Sequence, residues 1–470
     1  MIVLRVLMKV VSLVAISLLC LKVSVAQSPP ENTLQAGSVV EISSSPDQSY
    51  AAYLPTSYTA DKKWPAVFCL DPRARGKTAA ERFSSAAEKY GYVVFCSNNS
   101  RNGLYGETIT KIVSEFWLDA HKRFSIDENR TYFAGFSGGS RLAANYAVGC
   151  QGCVAGVLAS GAGFPASLTP NQKTRFAYFG VVGVDDFNFG EMRELEKKFS
   201  ALESPYHFQN FNAGHEWAPP ASLEVALAWF SLQAMRSGKC EKDEKFIDQQ
   251  YAARVTEAER LLAVQQLIDS QKSFQSIVRD FENLRDVKLA AEKAAQLRKS
   301  AELRKEEQAE GELFQRQLRE AGEIRMLWMK APDPDESRTP RYEANVRLND
   351  WRKKKELTTD SRERRLARRI LSHLLVESYE AAQANLREQK DYSLAIGNFQ
   401  LARAIEPQSP NLAYELARVY ALNRDKKMAI QVLEEAVGLG FKDPARIKSD
   451  EAFSALSGEA RFQKLLLKLN

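Results

Sequence analysis

The hydrophobic and polar positions follow different patterns in the two halves of the chain. In the first half, short apolar runs alternate with stretches in which apolar residues recur at helical spacing. Two runs, 39–42 and 50–54, flank a turn-rich segment and predict an antiparallel hairpin. The later runs predict strands at 66–70, 92–96, 131–135, 154–159, 176–182 and 206–211. Helices are predicted between them at 79–90, 108–123, 140–148, 191–202 and 221–234. This alternation predicts an α/β fold with a mostly parallel sheet and helices on both faces.

The second half consists almost entirely of helix-forming residues. Helical hairpins or a coiled coil are predicted at 241–330, where the irregular apolar spacing favours hairpins. A proline-containing stretch predicts a linker at 331–345, and a further helical region is predicted at 346–470. The chain is therefore expected to be an α/β domain followed by an all-α region.

A repeat with a period of 34 residues lies within the last helical region, at about 376–442. Ala395 corresponds to Ala429 and Phe399 to Leu433, so small and large residues recur at matching places. This spacing is similar to that of tetratricopeptide repeats, in which paired helices stack into an array. The resemblance implies a surface for a protein partner and a C-terminal cap after the repeats. An arbitrary helical bundle is the alternative.

Length and charge narrow the class of protein. At about 100 to 200 residues per domain, the 470 residues predict two to four domains. The net charge of +6 is spread over both halves with many acidic residues beside it, so no nucleic-acid partner is expected.

The N-terminal residues 1–26 have the pattern of a signal peptide. Basic Arg5 and Lys9 precede an apolar stretch at 10–21, and Ser24-Val25-Ala26 supplies a small-residue cleavage site. The protein is therefore expected to be exported, either periplasmic or secreted, with no membrane span in the mature chain. A membrane-anchoring helix is the alternative.

Five cysteines remain after the predicted signal peptide. Cys69 and Cys96 end apolar runs and are expected to be buried strand residues. Cys150 and Cys153 are expected to form a local disulfide or to be structural thiols, because no second pair completes a zinc site. No metal is therefore expected.

The motif that carries chemistry is Gly135-Phe136-Ser137-Gly138-Gly139. It stands between the predicted strand 131–135 and the predicted helix 140–148, and glycines allow the chain to reverse there without a Cβ clash. Such a strand-to-helix corner pushes the serine hydroxyl outward. We therefore predict a nucleophile elbow with Ser137 as the nucleophile.

A serine hydroxyl requires a base to take its proton and an acid to orient that base. In proteins with this elbow the order along the chain is nucleophile, acid, histidine, which leaves His207 and His215. His215 follows the carboxyl end of a predicted strand, where ligands of open α/β sheets bind, whereas His207 lies inside that strand. Asp185 and Asp186 are adjacent candidates for the acid, unless both only cap the next helix.

With these residues, the segment 39–236 resembles the α/β-hydrolase superfamily, and most of all the secreted esterases related to polyhydroxybutyrate depolymerases, feruloyl esterases and dienelactone hydrolases. The resemblance is carried by Tyr53-Leu54-Pro55, the Ser137 elbow, the Asp186 loop and Gly214-His215-Glu216-Trp217. It implies a catalytic domain at 27–240 with Ser137, Asp186 and His215 as the triad, and it favours Asp186 because such hydrolases place the acid three residues after a strand-ending glycine. No cofactor is implied.

The oxyanion hole needs two backbone N–H donors. Gly138 is expected to supply the first. Asp71-Pro72-Arg73 stands where many relatives carry His-Gly-Gly, and Arg73 is expected to supply the second donor because Pro72 has no N–H. The side chains of Arg73 and Arg75 have two alternative interpretations. They are either exposed loop charges or groups that attract an anionic substrate.

These expectations combine into an exported serine hydrolase that cleaves a small or polymeric carboxylic ester through an acyl-enzyme. The segment 159–176 is too short for a helical lid, so an open site is expected. Two alternatives stay open: a repeat scaffold with a vestigial hydrolase domain, and a serine peptidase on the same fold.

Overall fold

The computed structural model of the protein describes residues 35–150, 152–330 and 339–469. The predicted signal peptide at 1–26 lies outside these described residues, as does most of the predicted linker. From Ala36 onward the chain forms one compact unit. None of the described helices is long and apolar enough to cross a membrane.

The first half forms one eight-stranded sheet in the spatial order β1-β2-β4-β3-β5-β6-β7-β8. The first two strands are an antiparallel hairpin that pairs with β4, and the six remaining strands are parallel to one another. The strands are β1 Val39–Ser45, β2 Gln48–Tyr53, β3 Trp64–Leu70, β4 Val93–Ser97, β5 Ile126–Phe136, β6 Gly156–Ser160, β7 Ala177–Gly183 and β8 Tyr206–Phe211.

Helices cover both faces of this sheet. They are α1 Gly76–Tyr90, α2 Gly106–Arg123, α3 Gly138–Gly149, α4 Phe189–Phe199 and α5 Pro220–Arg236. Successive strand residues point to opposite faces. Phe68 and Phe95 therefore pack with α2, α3 and α4, whereas Val67 and Val94 pack with α1 and α5. This mostly parallel sheet with helices on both faces confirms the fold class predicted from the sequence.

The second half is helical, as predicted. Its helices are α6 Glu244–Ala263, α7 Leu267–Phe281, α8 Lys288–Lys299, α9 Ala301–Met329, α10 Pro340–Lys355, α11 Arg362–Ala384, α12 Tyr392–Ile405, α13 Pro410–Leu422, α14 Lys426–Gly438, α15 Pro444–Ser449 and α16 Ala460–Leu469. A π-helical turn, Asn385–Gln389, extends α11, and a 3₁₀ segment, Glu451–Leu456, follows α15.

The predicted linker was wrong for residues 340–345, which form the start of α10. Thr339 caps this helix by accepting a hydrogen bond from the Tyr342 N–H, and Pro340 occupies the first turn, where a missing N–H has no cost. In the sequence, Pro340 indicates a loop, but in the structure it is the first residue of a helix.

The helices α12 and α14 begin 34 residues apart, at Tyr392 and Lys426. Each is capped by an aspartate side chain, Asp391 or Asp425, that accepts a backbone hydrogen bond from the first turn. The period read from the sequence therefore corresponds to a period of helix starts. The assignment to tetratricopeptide repeats stays a prediction.

The two halves share a buried polar cluster centred on Asp280 of α7. Its carboxylate accepts hydrogen bonds from Trp229 Nε1 at 2.9 Å and Gln233 Nε2 at 3.2 Å, both on α5, and from Arg254 Nη1 of α6 at 3.2 Å. A buried charge needs such partners. The cluster therefore joins the last helix of the sheet domain to the first helical hairpin.

The cysteines adopt two states. Cys150 and Cys153 form a disulfide, whereas Cys69, Cys96 and Cys240 are free. Cys69 and Cys96 are paired neighbours on β3 and β4 and are buried, and burial raises the pKa of the Cys69 thiol. Both residues therefore belong to the core of the sheet, and the Cys69 thiol is favoured in its protonated form.

Candidate active site

Ser137 occupies the corner between β5 and α3. Its backbone has φ 52° and ψ −120°, a left-handed conformation that costs an ordinary residue on the order of 1–3 kcal/mol. The Ser137 N–H donates to Ser160 O at 2.8 Å, which ties the corner to β6. A Cβ added at Gly139 would lie 2.0 Å from Leu70 O, and one added at Gly135 would lie 2.3 Å from the Gly139 backbone. Glycine is therefore required at both places, and the corner holds the serine at the carboxyl edge of the sheet.

His215 lies in the loop after β8 and bridges Ser137 and Asp186. Its Nε2 is 2.9 Å from Ser137 Oγ, and its Nδ1 is 2.9 Å from Asp186 Oδ2. An ionised carboxylate only accepts hydrogen bonds, so Nδ1 carries the proton and donates to Asp186. The neutral Nε2 then accepts from the Ser137 hydroxyl. The three residues form one hydrogen-bonded chain.

The surroundings fix both groups. Asp186 is 0% exposed, and its Oδ1 accepts a second hydrogen bond from the Asn188 N–H at 2.8 Å. The His215 side chain is 17% exposed, and its ring lies between Phe136 at 4.8 Å and Phe187 at 4.4 Å, measured between ring centroids. Ser137 and His215 are therefore partly exposed, whereas the carboxylate that orients the imidazole is buried. Exclusion of water strengthens the hydrogen bonds of this carboxylate.

The two alternative residues lie elsewhere. The Asp185 carboxylate forms an ion pair with Arg368 of α11 and does not bond to an imidazole. His207 is buried, stacks on Phe179 at 5.0 Å and contacts Arg254 at 3.2 Å. Burial, together with the charge of Arg254, lowers the pKa of His207 well below its ordinary value. The structure thus brings His215 and Asp186 to Ser137, and it places Asp185 and His207 against arginines.

The two predicted oxyanion donors differ. The Gly138 N–H is in the first turn of α3, where backbone donors have no partner within the helix. The Arg73 N–H, in contrast, donates to Asp71 Oδ1 at 2.8 Å. Arg73 can act as predicted only if Asp71 gives up or shares this hydrogen bond.

Asp71 is a residue of the site that the sequence reasoning missed. Its buried carboxylate accepts hydrogen bonds from Trp217 Nε1 at 2.7 Å and from Arg75 Nε and Nη2 at 3.1 and 3.0 Å. Burial alone would raise the pKa of Asp71, but the hydrogen bonds from Arg75 and Trp217 outweigh burial, and the pKa is lowered. Trp217 stands two residues after His215, so Asp71 ties the loop after β3 to the histidine loop. The four-residue spacing of Asp71 and Arg75 was the available signal.

The helix α11 crosses the carboxyl edge of the sheet above the site. Arg368 near its start contacts Asp185, and the ring of His373 lies 6.1 Å from that of Phe187. Further along, Glu380 Oε1 accepts a hydrogen bond from Asn102 Nδ2 at 3.4 Å. Burial lowers the pKa of His373, although the charge of neighbouring Glu377 opposes this. The imidazole of His373 is therefore favoured in its neutral form.

The helix α11 is long enough to reach both of the loops that it contacts. Arg368 and Arg387 are 19 residues apart, and Arg387 on the π-helical turn lies against Gly103. That length is about 28 Å at about 1.5 Å per residue. The contacted loops follow β7 and β4, which are four strands apart, or about 19 Å. The prediction of an open site therefore missed one feature of the structure. The helical half extends over the edge of the sheet that carries Ser137.

Several solved structures of hydrolases are similar to about two fifths of the chain. A fluorophosphonate-binding serine hydrolase of Staphylococcus aureus is 17% identical over 41% of this chain and 98% of that chain, with a TM-score of 0.35. A carboxylesterase of Bacillus cereus is 17% identical over 40% and 95% of the two chains, with a TM-score of 0.33. For an S-formylglutathione hydrolase of Agrobacterium tumefaciens the identity is 14%, the shares are 40% and 90%, and the TM-score is 0.32. A scan of protein-family models and a search of curated proteins find no match. The likenesses are distant, and the interpretation of the site rests on its own geometry.

Proposed function

We propose that the protein is an exported serine hydrolase that cleaves carboxylic esters, with Ser137 as nucleophile, His215 as general base and acid, and Asp186 as the residue that orients His215. The observation that carries the proposal is the continuous hydrogen-bonded chain from Ser137 Oγ through the imidazole to Asp186 Oδ2. A vestigial site has no need to keep a strained serine backbone and two aligned hydrogen bonds.

In the acylation step, Ser137 Oγ attacks the ester carbonyl carbon while His215 Nε2 takes the hydroxyl proton. The carbonyl oxygen becomes an oxyanion, to which the Gly138 N–H can donate. Asp186 stays ionised and stabilises the imidazolium that forms, since its carboxylate faces the protonated Nδ1. The tetrahedral intermediate collapses as Nε2 returns the proton to the leaving alcohol, and an acyl-serine remains.

Deacylation repeats these events with water. His215 Nε2 takes a proton from a water molecule, the hydroxide attacks the acyl carbon, and Ser137 Oγ leaves with the proton that Nε2 returns. The products are a carboxylic acid and the regenerated serine. The side chains and water account for every proton and every bond in the cycle.

Export of the protein from the cytoplasm is part of the proposal. The N-terminal pattern at 1–26 supports export, and a disulfide such as Cys150–Cys153 is typical of oxidising compartments. N-terminal sequencing of the protein from its cell should begin at Gln27, and an intact Met1 would refute cleavage.

The capped helix starts 34 residues apart support tetratricopeptide-like repeats that bind a protein partner. Cross-linking in the exporting cell should recover a protein bound to α12–α14. Recovery of the chain alone would count against such a partner.

A panel of p-nitrophenyl acyl esters, feruloyl-type aryl esters and peptides tests the activity. We expect ester turnover by the full chain and its loss in Ser137→Ala. Ser276→Ala is the matched control, because Ser276 is buried in α7 and its hydroxyl donates to Ser273 O within the same helix. Turnover of peptides but not esters would favour the peptidase, and ester turnover that survives Ser137→Ala would refute the nucleophile.

A further inference from the structure

The loop that carries Asp186 is contacted from outside the sheet domain on both sides of that residue. Arg369 and Arg368 of α11 contact Val184 and Asp185, and Gln317 of α9 contacts Phe187. We infer that Arg369 and Gln317 are positioning residues for Asp186, so that the helical half holds the acid of the triad in place. This inference rests on the proposed function of Ser137, His215 and Asp186.

Arg369 is the stronger of the two contacts. It is 2% exposed, and its Nε and Nη2 both donate to Val184 O, at 2.8 and 2.6 Å. Its guanidinium also lies over the Phe189 ring, 4.0 Å from the centroid, and 3.6 Å from the Glu310 carboxylate of α9. A guanidinium donates in a fixed planar geometry. Arg369 therefore fixes the position of the backbone two residues before Asp186 and of the ring three residues after it.

Gln317 holds the other side of the loop. It is 0% exposed, and its Nε2 donates to Phe187 O at 2.8 Å. The buried Oε1 of the same side chain has no hydrogen-bond partner among the described residues. A buried amide that leaves one of its polar atoms unsatisfied is costly. A methionine in its place would bury no polar atom, so the amide is better explained by its contact with the loop than by stability.

The remaining contact on this side is steric. Gly190 at the start of α4 packs so closely on Phe314 of α9 that an added Cβ would lie 1.9 Å from the ring. Within its own domain the loop is held by Val184 N–H to Phe211 O and Asp185 N–H to Ala213 O, both at 2.9 Å. These two hydrogen bonds connect the loop to the histidine side, and Asn188 Nδ2 donates to Gly161 O at 2.7 Å on the β6 side. The helical half adds the hydrogen bonds of Arg369 and Gln317 on either side of Asp186, and these additional contacts hold the 2.9 Å distance between Asp186 and His215.

Misplacement of a catalytic group by about 1 Å can cost about a hundredfold in rate. We therefore expect kcat for the best ester to fall about tenfold in Gln317→Met and about a hundredfold in Arg369→Met, with KM within about twofold. Arg369→Lys, which keeps the charge and one donor, should recover part of the loss. The matched control is Gln271→Met, because Gln271 is a buried glutamine that bonds to Gln275 in its own helix.

Hydrogen exchange of the full-length protein, followed by mass spectrometry, separates positioning from general destabilisation. In Gln317→Met the amides of 184–189 should exchange faster while those of β3 and β5 keep the wild-type rate. Faster exchange throughout the sheet would overturn the inference. A kcat and an exchange rate equal to wild type in both Gln317→Met and Arg369→Met would also overturn it. Neither result would contradict the assignment of Ser137, His215 and Asp186. If the wild-type protein neither turns over an ester nor reacts with a fluorophosphonate, the proposed function fails, and the exchange of 184–189 alone then decides whether α9 and α11 hold this loop.

Discussion

Replacement of Asp186 by asparagine should abolish the base function of His215 without unfolding the protein. The Asp186 carboxylate accepts two hydrogen bonds, one at Oδ1 from the Asn188 N–H and one at Oδ2 from His215 Nδ1. If the asparagine keeps its oxygen towards Asn188, its NH₂ group faces Nδ1, which must then become an acceptor. The proton moves to Nε2, which can no longer accept from Ser137. The opposite orientation would set two donors against each other at Asn188.

The cost follows from the wrong tautomer. An imidazole held with its proton on Nε2 lowers kcat by on the order of 10⁴, which corresponds to a loss of about 5 kcal/mol of transition-state stabilisation. Asp185→Asn is the matched comparison, because its carboxylate pairs with Arg368 and not with the imidazole. Loss of that pair should lower kcat by no more than about tenfold.

Initial rates of p-nitrophenyl ester hydrolysis, per active site titrated with a fluorophosphonate, give both values. Circular dichroism and the thermal midpoint establish that each variant is folded. An Asp186→Asn loss below about tenfold, or a larger loss in Asp185→Asn, would refute the assignment of the acid.

Three further outcomes follow from the packing. The pKa of His207 in the folded protein lies below its ordinary value, so unfolding takes up a proton as the pH falls below about 6.5. The free energy of unfolding should then drop by up to about 1.4 kcal/mol per pH unit. Urea unfolding at pH 7, 6 and 5 should show this drop in the wild-type protein and a smaller one in His207→Gln. Asp280→Ala leaves the buried Arg254 without its counter-charge and should lower the free energy of unfolding by about 3–5 kcal/mol in the same assay. Gly139→Ala places a Cβ 2.0 Å from a backbone oxygen of β3 and should slow fluorophosphonate labelling at least about a hundredfold. Gly149→Ala should not slow it, because its added Cβ would have no described atom within 4 Å outside its own stretch of helix.

The sheet domain could be predicted because its signals are local. Apolar runs gave the strands, and the glycines around Ser137 marked a corner that only one kind of backbone can make. His215 could be predicted in the same way, because it follows the carboxyl end of a predicted strand. The choice of Asp186 over Asp185 needed the resemblance, since both residues are carboxylates in one loop.

Contacts between distant segments could not be read from one sequence. Arg369 and Val184 are 185 residues apart, and an arginine within a helical, charge-rich stretch has the pattern of an ordinary solvated residue. The burial of Arg369 depends on where α11 lies against the sheet, which no periodicity records. Asp71 was missed for a similar reason, because its partner Trp217 is 146 residues away.

Mass-spectrometric mapping of a fluorophosphonate adduct on the full chain is the most direct test of Ser137 as nucleophile and His215 as base. We predict one adduct, on the hydroxyl oxygen of Ser137, that is absent in Ser137→Ala and forms far more slowly in His215→Ala. A folded protein that takes up no adduct, or takes it up at another serine at the wild-type rate in both variants, would contradict the proposed nucleophile and base.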